Sequence, residues 1–393
     1  MNKLAREVTI IGVGMHKFGK FMDKGLKDLT RVAVWNAIDD AGIDANKIET
    51  AYFANVLAGL ITGQECIRGH IFLRDAGFEG IPIVNVEGAC ASSSIALREA
   101  MIAVGSGLYD VALAVGAEKL YLDDTARSIQ AMSTNTDIEF MGQLGFQFTG
   151  SYSMILRKYM KQYDWTQEQF AKVASKNKHN GSLNPMAQYQ KPMSAEDILN
   201  SRVIAWPLTL YMCSTMADGA AAAIVCAKEV AHKISNRIPI TIAASCLRSG
   251  KVTEEDDGQV RVAHDAYQMA DLSPEDVEVA EVHDAMAPGE MFRVEKLGFC
   301  KAEEVGRLVD EEYFTLNGKL PVNTSGGLAA RGHPIGATGL AQIAEVVWQM
   351  RGEAGPRQVP GRNSPYPKVG LTQNSGGYVE GSPATVSVTI LKS

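Results

Sequence analysis

Residues 88–94 read GACASSS, a cysteine among small side chains, set between an apolar run (IPIVNVE) and a helical pattern (SIALREAMIAVGSG). A thiol at a helix start feels the positive end of the macrodipole and free N–H groups, which favour the thiolate. Gly88, Ala89, Ala91 and Ser92 leave room for a substrate carbonyl to approach Cys90. A single cysteine is more often a buried, inert small hydrophobe, so this one has chemical meaning only if a base is near. The stretch VNTSGGLAARGHPIGATG offers one: His333 lies between Gly332 and Pro334, just ahead of a second helical pattern. Proline suits the first position of a helix. Neutral imidazole suits removal of a thiol proton near pH 7. If the two helix starts are equivalent and face each other, Cys90 and His333 form an activated sulfur nucleophile.

The elements around these residues alternate. REVTIIGVG, IETAYFANV, IPIVNVE and DVALAVGAE read as strands, with helical patterns such as LKDLTRVAVWNAIDDAG between them. That rhythm predicts βαβ units about a buried, largely parallel sheet. IPITIAASCL at 238–247 restarts it. Ala37, Ala41, Ile43 and Ile48 recur as Ala266, Ala270, Leu272 and Val277 at one constant offset, which predicts two duplicated halves. An insertion between about 120 and 230 breaks the rhythm. It holds eight of the 16 methionines, from Met132 to Met216, adaptable side chains suited to an acyl pocket or to ordinary core. TLNGKLPV reads as a hairpin with an Asn-Gly turn.

Composition excludes several classes. The chain has 393 residues, 46% hydrophobic, with a net charge of -7, so nucleic acid and anionic membrane are poor partners. No apolar run reaches membrane-spanning length. The first residues lack the order of a secretory leader, which makes cytoplasmic the expected location. The six cysteines contain no C-x-x-C pair and the seven histidines no H-E-x-x-H, so neither a disulfide framework nor a metal is expected. IGVGMHKFG is not G-x-G-x-x-G, and no G-x-x-x-x-G-K-[ST] occurs.

NVEGACASSS, HDAMAPGE, VNTSGGLAARGHPIGATG and TQNSGGY resemble the signature blocks of the thiolase superfamily. SKNKHNGSLNP and MADGAAAAIV are similar to those of its sterol-carrier-protein-type branch. The resemblance is collinear over essentially the whole chain. It implies an α/β thiolase fold: two pseudo-symmetric βαβαβαββ halves in a five-layered αβαβα sandwich, with an inserted helical loop domain. The corresponding spans are 1–119, a loop domain at 120–205, completion of the first half at 206–235, and a second half at 236–393. It also implies a homodimer, coenzyme A as substrate and product, and ping-pong acyl transfer. In the implied roles Cys90 takes the acyl group, His333 activates it, and His283 in the HDAM block helps hold the thioester oxygen. The N–H groups of Cys90 and Gly376 form the oxyanion hole of the acyl-enzyme.

The chain departs from that pattern in one respect. The family's second, acid/base cysteine has two usual positions, and these read Asn374 and Ala285. Protonating a leaving enolate contributes roughly 100- to 10,000-fold, so another group must serve. His283, His333, Tyr378 or a water are the options, or an enolate stabilised by its own substituents. TQNSGGY is similar to blocks of benzoylsuccinyl-CoA thiolase and of the thiolase-like subunit of phloroglucinol acetyltransferase. The Met-rich insertion and the missing cysteine favour a branched or aromatic 3-oxoacyl-CoA such as benzoylsuccinyl-CoA, and the resemblance to that branch implies a small separate partner with an OB-fold and zinc ribbon that completes a heterotetramer. The alternatives are a condensing enzyme with a Cys-His-His set, a retro-aldolase, and a non-catalytic lipid carrier.

Overall fold

The computed structural model describes residues 4–251 and 258–393; residues 1–3 and 252–257 of the first and last expected spans lie outside it. Five strands form the first half: β1 (Val8–Met15), β2 (Thr50–Ala54), β3 (Ile83–Val86), β4 (Val111–Glu118) and β5 (Gly219–Ala227), in the order β3-β2-β4-β5-β1. The second half has β6 (Ile240–Arg248), β7 (Val279–Glu281), β8 (Val369–Gly376) and β9 (Thr385–Lys392), in the order β6-β9-β8-β7. The halves meet where β1 and β6 pair antiparallel, Thr9 with Thr241 and Ile10 with Ile240. Moving outward from that seam, each strand of one half has its equivalent in the other. The counterpart of β3 is reduced to a parallel bridge between Ala280 and Val322.

β4 (VALAVGAE) and β5 (GAAAAIVCA) are buried at every residue. Strands covered on both faces read as continuous apolar runs rather than alternating ones, and DVALAVGAE was legible for that reason, whereas β5 lay in the stretch expected to be insertion. The sheet is mixed rather than largely parallel: each half returns strands through antiparallel partners, with five antiparallel pairings and three parallel ones among the described residues. Helix Leu26–Ala41 covers the outer face of the first half through Leu29, Ala33, Val34 and Ala37. Helix Gln259–Ala270 covers the second through Val262, Ala263 and Ala266. Burying a side chain the size of Leu29 or Val34 is worth about 1.5–3 kcal/mol. Between the half-sheets, helices Ser92–Gly105 and Thr338–Arg351 pack on each other and on strands of both halves. The result is the five-layered αβαβα sandwich of the thiolase fold.

The offset recurs in the backbone as well. The turn Ala45–Lys47 recurs as Pro274–Asp276, and the strand start Thr50 recurs as Val279, an offset of 229 in both cases. TLNGKLPV forms turns rather than a hairpin ladder. The amides of Leu320 and Val322 bond back to the carbonyls of Tyr313 and Phe314 at 3.1 Å, which spends the segment's pairing on the preceding turn. Between β4 and β5 the chain runs through helices Thr125–Ser133, Phe148–Tyr163, Gln167–Ser182 and Ala195–Leu199. The third is tied to the second half by Asn180 Nδ2 on the Asn323 carbonyl (3.0 Å) and Lys178 Nζ on that of Ala329 (2.5 Å). Among the described residues, no helix is long and apolar enough to cross a membrane.

Candidate active site

The site gathers at the carboxyl ends of parallel strands, where open α/β sheets bind ligands. Cys90 follows β3, in a three-residue 3-10 turn (Ala89–Ala91) that runs into the 14-residue helix Ser92–Gly105. The equivalent helix, Thr338–Arg351, also has 14 residues and a leading turn, Ile335–Ala337. The helices are equivalent, but the two residues are not: Cys90 lies within its turn, while His333 lies two residues ahead of its own. The starts pack closely, with the Leu340 amide on Ser93 Oγ at 3.1 Å. A Cβ on Gly339 would lie 2.2 Å from Ser94 Oγ, so glycine is required there.

The Cys90 sulfur and one ring nitrogen each of His283 and His333 lie within 4.8 Å of one another. Burial pushes the Cys90 thiol up to about 12, with the charges of Glu118 and Glu87 adding to it. The N–H groups of Cys90 and Gly377 pull the other way. This corrects the expectation of a thiolate favoured by the helix start. A helix end supplies about 0.3–1 kcal/mol, whereas each unit of desolvation shift is worth about 1.4 kcal/mol. The resting sulfur is therefore protonated and needs a base.

His333 has the form of that base. Its Nδ1 lies 2.7 Å from Thr338 Oγ1, and that hydroxyl donates to the Pro334 carbonyl at 3.0 Å. With the hydroxyl proton so used, Nδ1–H donates to Oγ1 and Nε2 keeps its lone pair. Burial, followed by the charge of Arg331, lowers the His333 pKa to about 3, so the ring is neutral. His283 stands at the end of β7, its ring 5.3 Å from that of His333 in an edge-on contact. Burial first, then His333 and Arg293, hold it well below the ordinary value. Among the described residues its Nδ1 makes no close hydrogen bond, and the neighbouring Asn374 side chain opposes that lowering.

Asn374 and Gly376 close the site from β8. Asn374 is buried, with Nδ2 on Gln342 Oε1 at 3.2 Å and Oδ1 unpartnered. A Cβ on Gly376 would lie 2.0 Å from the Gly88 carbonyl and 3.0 Å from the Cys90 amide, so this glycine lets β8 touch the cysteine turn. Tyr378 is a wall: its ring stacks on Phe146 at 5.2 Å. The cavity beyond Cys90 has a volume of about 140 Å³. Phe148, Ser151, Tyr152 and Ile155, one face of helix Phe148–Tyr163, line it. Of the eight insertion methionines only Met132 does so; Met154, for one, is 66% exposed. The apolar part of the cavity wall comes chiefly from Phe148, Tyr152, Phe292, Tyr378 and Ile155 instead.

Residues 8–229 match the family described as Thiolase, N-terminal domain, and residues 249–391 match Thiolase C-terminal domain-like. The chain belongs to the thiolase family. It is 41% identical over 379 residues to an acetyl-CoA acetyltransferase of Methanothermobacter thermautotrophicus, covering 95% of this chain and 97% of that one. It is 37% identical over 385 residues to the benzoylsuccinyl-CoA thiolase subunit BbsB of Thauera aromatica, covering 95% and 96%. A solved structure titled Ltp2-ChsH2(DUF35) aldolase shares the fold, with a TM-score of 0.80 at 24% identity over 100% of this chain and 99% of that chain.

Against the thiolase pattern, neither position of the usual second cysteine carries an acid. Ala285 lines the cavity and Asn374 sits beneath it. Asp284 is structural: it accepts from Asn177 Nδ2 at 2.9 Å and the Leu328 amide at 2.8 Å.

Sequence reasoning missed four contributors. Glu118, fully buried at the end of β4, accepts from the amides of Val56, Leu57 and Gly336, and so clamps the His333 turn to the first half. An acid closing the apolar run DVALAVGAE was its visible signal. Gly377, at φ 63, turns its N–H toward the sulfur. Thr338 orients His333, and Arg293 lines the cavity. The three ligand-type atoms of Cys90, His283 and His333 have the donor set that zinc accepts.

Proposed function

We propose that the chain is a CoA-dependent, thiolase-type acyltransferase that cleaves a 3-oxoacyl-CoA through an acyl-cysteine. The observation that carries this reading is the convergence of Cys90, His283 and His333 within 4.8 Å. His333 Nε2 takes the Cys90 proton, and the sulfur adds to the C3 carbonyl. The C2–C3 bond breaks, leaving the acyl group on sulfur and an acyl-CoA enolate. The proton that left Cys90 passes from His333 through His283, whose ring lies edge-on to it, to C2 and releases that acyl-CoA, so the histidine pair takes the place of the missing cysteine. The thiol of a second CoA then adds to the acyl-cysteine carbonyl, giving its proton to the paired histidines, and Cys90 is restored. The N–H groups of Cys90 and Gly376 hold the oxyanion; donors of this kind are worth about 3 kcal/mol each.

For the substrate, the Methanothermobacter relative's name supports acetyl transfer. The aromatic cavity wall and the Thauera relative's name support a branched or aromatic 3-oxoacyl-CoA such as benzoylsuccinyl-CoA. Run in reverse, the same residues condense two acyl-CoA molecules. The Thauera relative is named as a subunit, which supports a separate partner for this chain; the family resemblance is what assigns that partner an OB-fold and zinc ribbon. β3 ends its sheet order and Val84 on it is 44% exposed, an open edge that suits pairing in a homodimer.

Intact-protein mass spectrometry with a panel of acyl-CoA and 3-oxoacyl-CoA compounds tests the reading. An acyl adduct on the native chain, absent from Cys90→Ala, is the expected result. Full turnover by Cys90→Ala would overturn it in favour of retro-aldol chemistry.

A further inference from the structure

Four arginines are buried in the described residues: Arg293, Arg331, Arg351 and Arg357. Three have a carboxylate: Arg331 with Glu281 at 3.3 Å, Arg351 with Asp40 at 2.9 Å, and Arg357 with Glu345 at 2.8 Å. Arg293 makes no ion pair among the described residues. Its Nε donates to the His283 carbonyl at 3.3 Å, its guanidinium lies over the Phe292 ring at 4.8 Å, and the Tyr152 hydroxyl is its other polar neighbour. The nearby acids are committed elsewhere. Glu290 pairs with Lys176 at 2.5 Å, and Asp284 holds Asn177 and Leu328. Yet Arg293 is only 4% exposed, and it lines the cavity that holds Cys90. A buried cation without a counter-charge is costly, by more than a neutral tyrosine and a carbonyl restore.

We propose that the missing counter-charge comes with the substrate: Arg293 receives a free carboxylate borne by the acyl-CoA. Its planar fork matches a carboxylate bidentately, and enclosure by Phe292 and Tyr152 strengthens the pairing. The substrate class is then a 3-oxoacyl-CoA that carries a carboxylate besides its thioester. This rests on the acyl-transfer reading above and narrows it. It makes Arg293 a specificity-determining residue.

The test compares ligands that differ only by a carboxylate in place of a methyl: succinyl-CoA against butyryl-CoA, and glutaryl-CoA against valeryl-CoA. Dissociation constants are measured by calorimetry on the Cys90→Ala chain, which forms no adduct. The expected result is a preference for the carboxylated member of at least one pair by about ten-fold or more. The preference vanishes in Cys90→Ala/Arg293→Met and survives in part in Cys90→Ala/Arg293→Lys. CoA itself cancels within each pair, and a merely structural Arg293 would shift all four affinities together. Equal affinities within both pairs, or a ratio unchanged by Arg293→Met, overturn the proposal. If the methionine variant does not fold, the ratio on the Arg293-bearing chain and the lysine variant decide it. Acyl transfer is read separately, as a butyryl adduct on native Cys90; its loss would sink the broader reading and leave the affinity ratio standing.

Discussion

His333 and Thr338 form a hydrogen-bonded pair, Nδ1 to Oγ1 at 2.7 Å, and the threonine passes its own proton to the Pro334 carbonyl at 3.0 Å. One turn of backbone thus decides which imidazole nitrogen is left as a base. The pair places a positioning residue behind the proposed base.

Thr338→Val keeps shape and removes the acceptor. A hydrogen bond of about 1 kcal/mol corresponds to roughly five- to ten-fold in rate. Steady-state kinetics are expected to show that loss in kcat with KM unchanged, and Thr338→Ser to restore it. An unaltered kcat in the valine variant would remove Thr338 from the mechanism.

The two histidines are expected to fail differently. His333→Gln removes the base for Cys90 and should slow adduct formation with any acyl-CoA by roughly 100- to 10,000-fold. His283→Asn should leave an adduct with a simple acyl-CoA detectable while the carbon–carbon cleavage of a 3-oxoacyl-CoA falls by a similar factor. Equal losses in both assays would place His283 in binding rather than in proton delivery.

The protonation pattern predicts the pH dependence. Burial lowers His333 to about 3, so the neutral base persists far below the ordinary histidine value; the Cys90 thiol stays protonated up to about 12. Stopped-flow acylation is expected to be level across the neutral range, with no limb near pH 6.5. Iodoacetamide alkylation of Cys90 should climb about ten-fold per pH unit, following the thiolate fraction. Stability runs with the same sign. Between about 6.5 and 3 the unfolded chain binds more protons at these histidines than the folded one, so acidification through that window lowers the Tm.

Gly376→Ala sets a methyl 2.0 Å from the Gly88 carbonyl. Overpacking of this kind costs about 1–3 kcal/mol, and relief requires the Cys90 turn to move. Thermal unfolding should register a lower Tm, and acylation should fall further than stability alone explains. A variant of native Tm and rate would show that β8 does not brace the turn.

A chelator tests the three-donor cluster directly. If Cys90, His283 and His333 work as acyl acceptor and bases, dialysis against EDTA leaves turnover unchanged, and added zinc inhibits by occupying them. Loss of activity on chelation, restored by metal, would overturn that assignment.

By itself the sequence determined two βαβ halves, because apolar runs alternate with helical patterns and a duplicated half leaves one constant offset; the five-layered αβαβα plan followed from the family resemblance of its motif blocks. Spacing and small neighbours marked Cys90 and His333, while His283 was marked by the resemblance of its HDAM block. Three things were decided only by tertiary structure. The first is the protonation of Cys90: a helix start is visible in sequence, but the depth of burial and the approach of Glu118 are not. The second is the wall of the acyl pocket, where the helical register of Phe148–Tyr163, rather than methionine content, chose Phe148, Tyr152 and Ile155. The third is the solitude of Arg293. Every arginine in a sequence has acids within reach of some fold, and only packing revealed that Glu281, Glu290 and Glu345 were already engaged, leaving one buried charge to face the cavity.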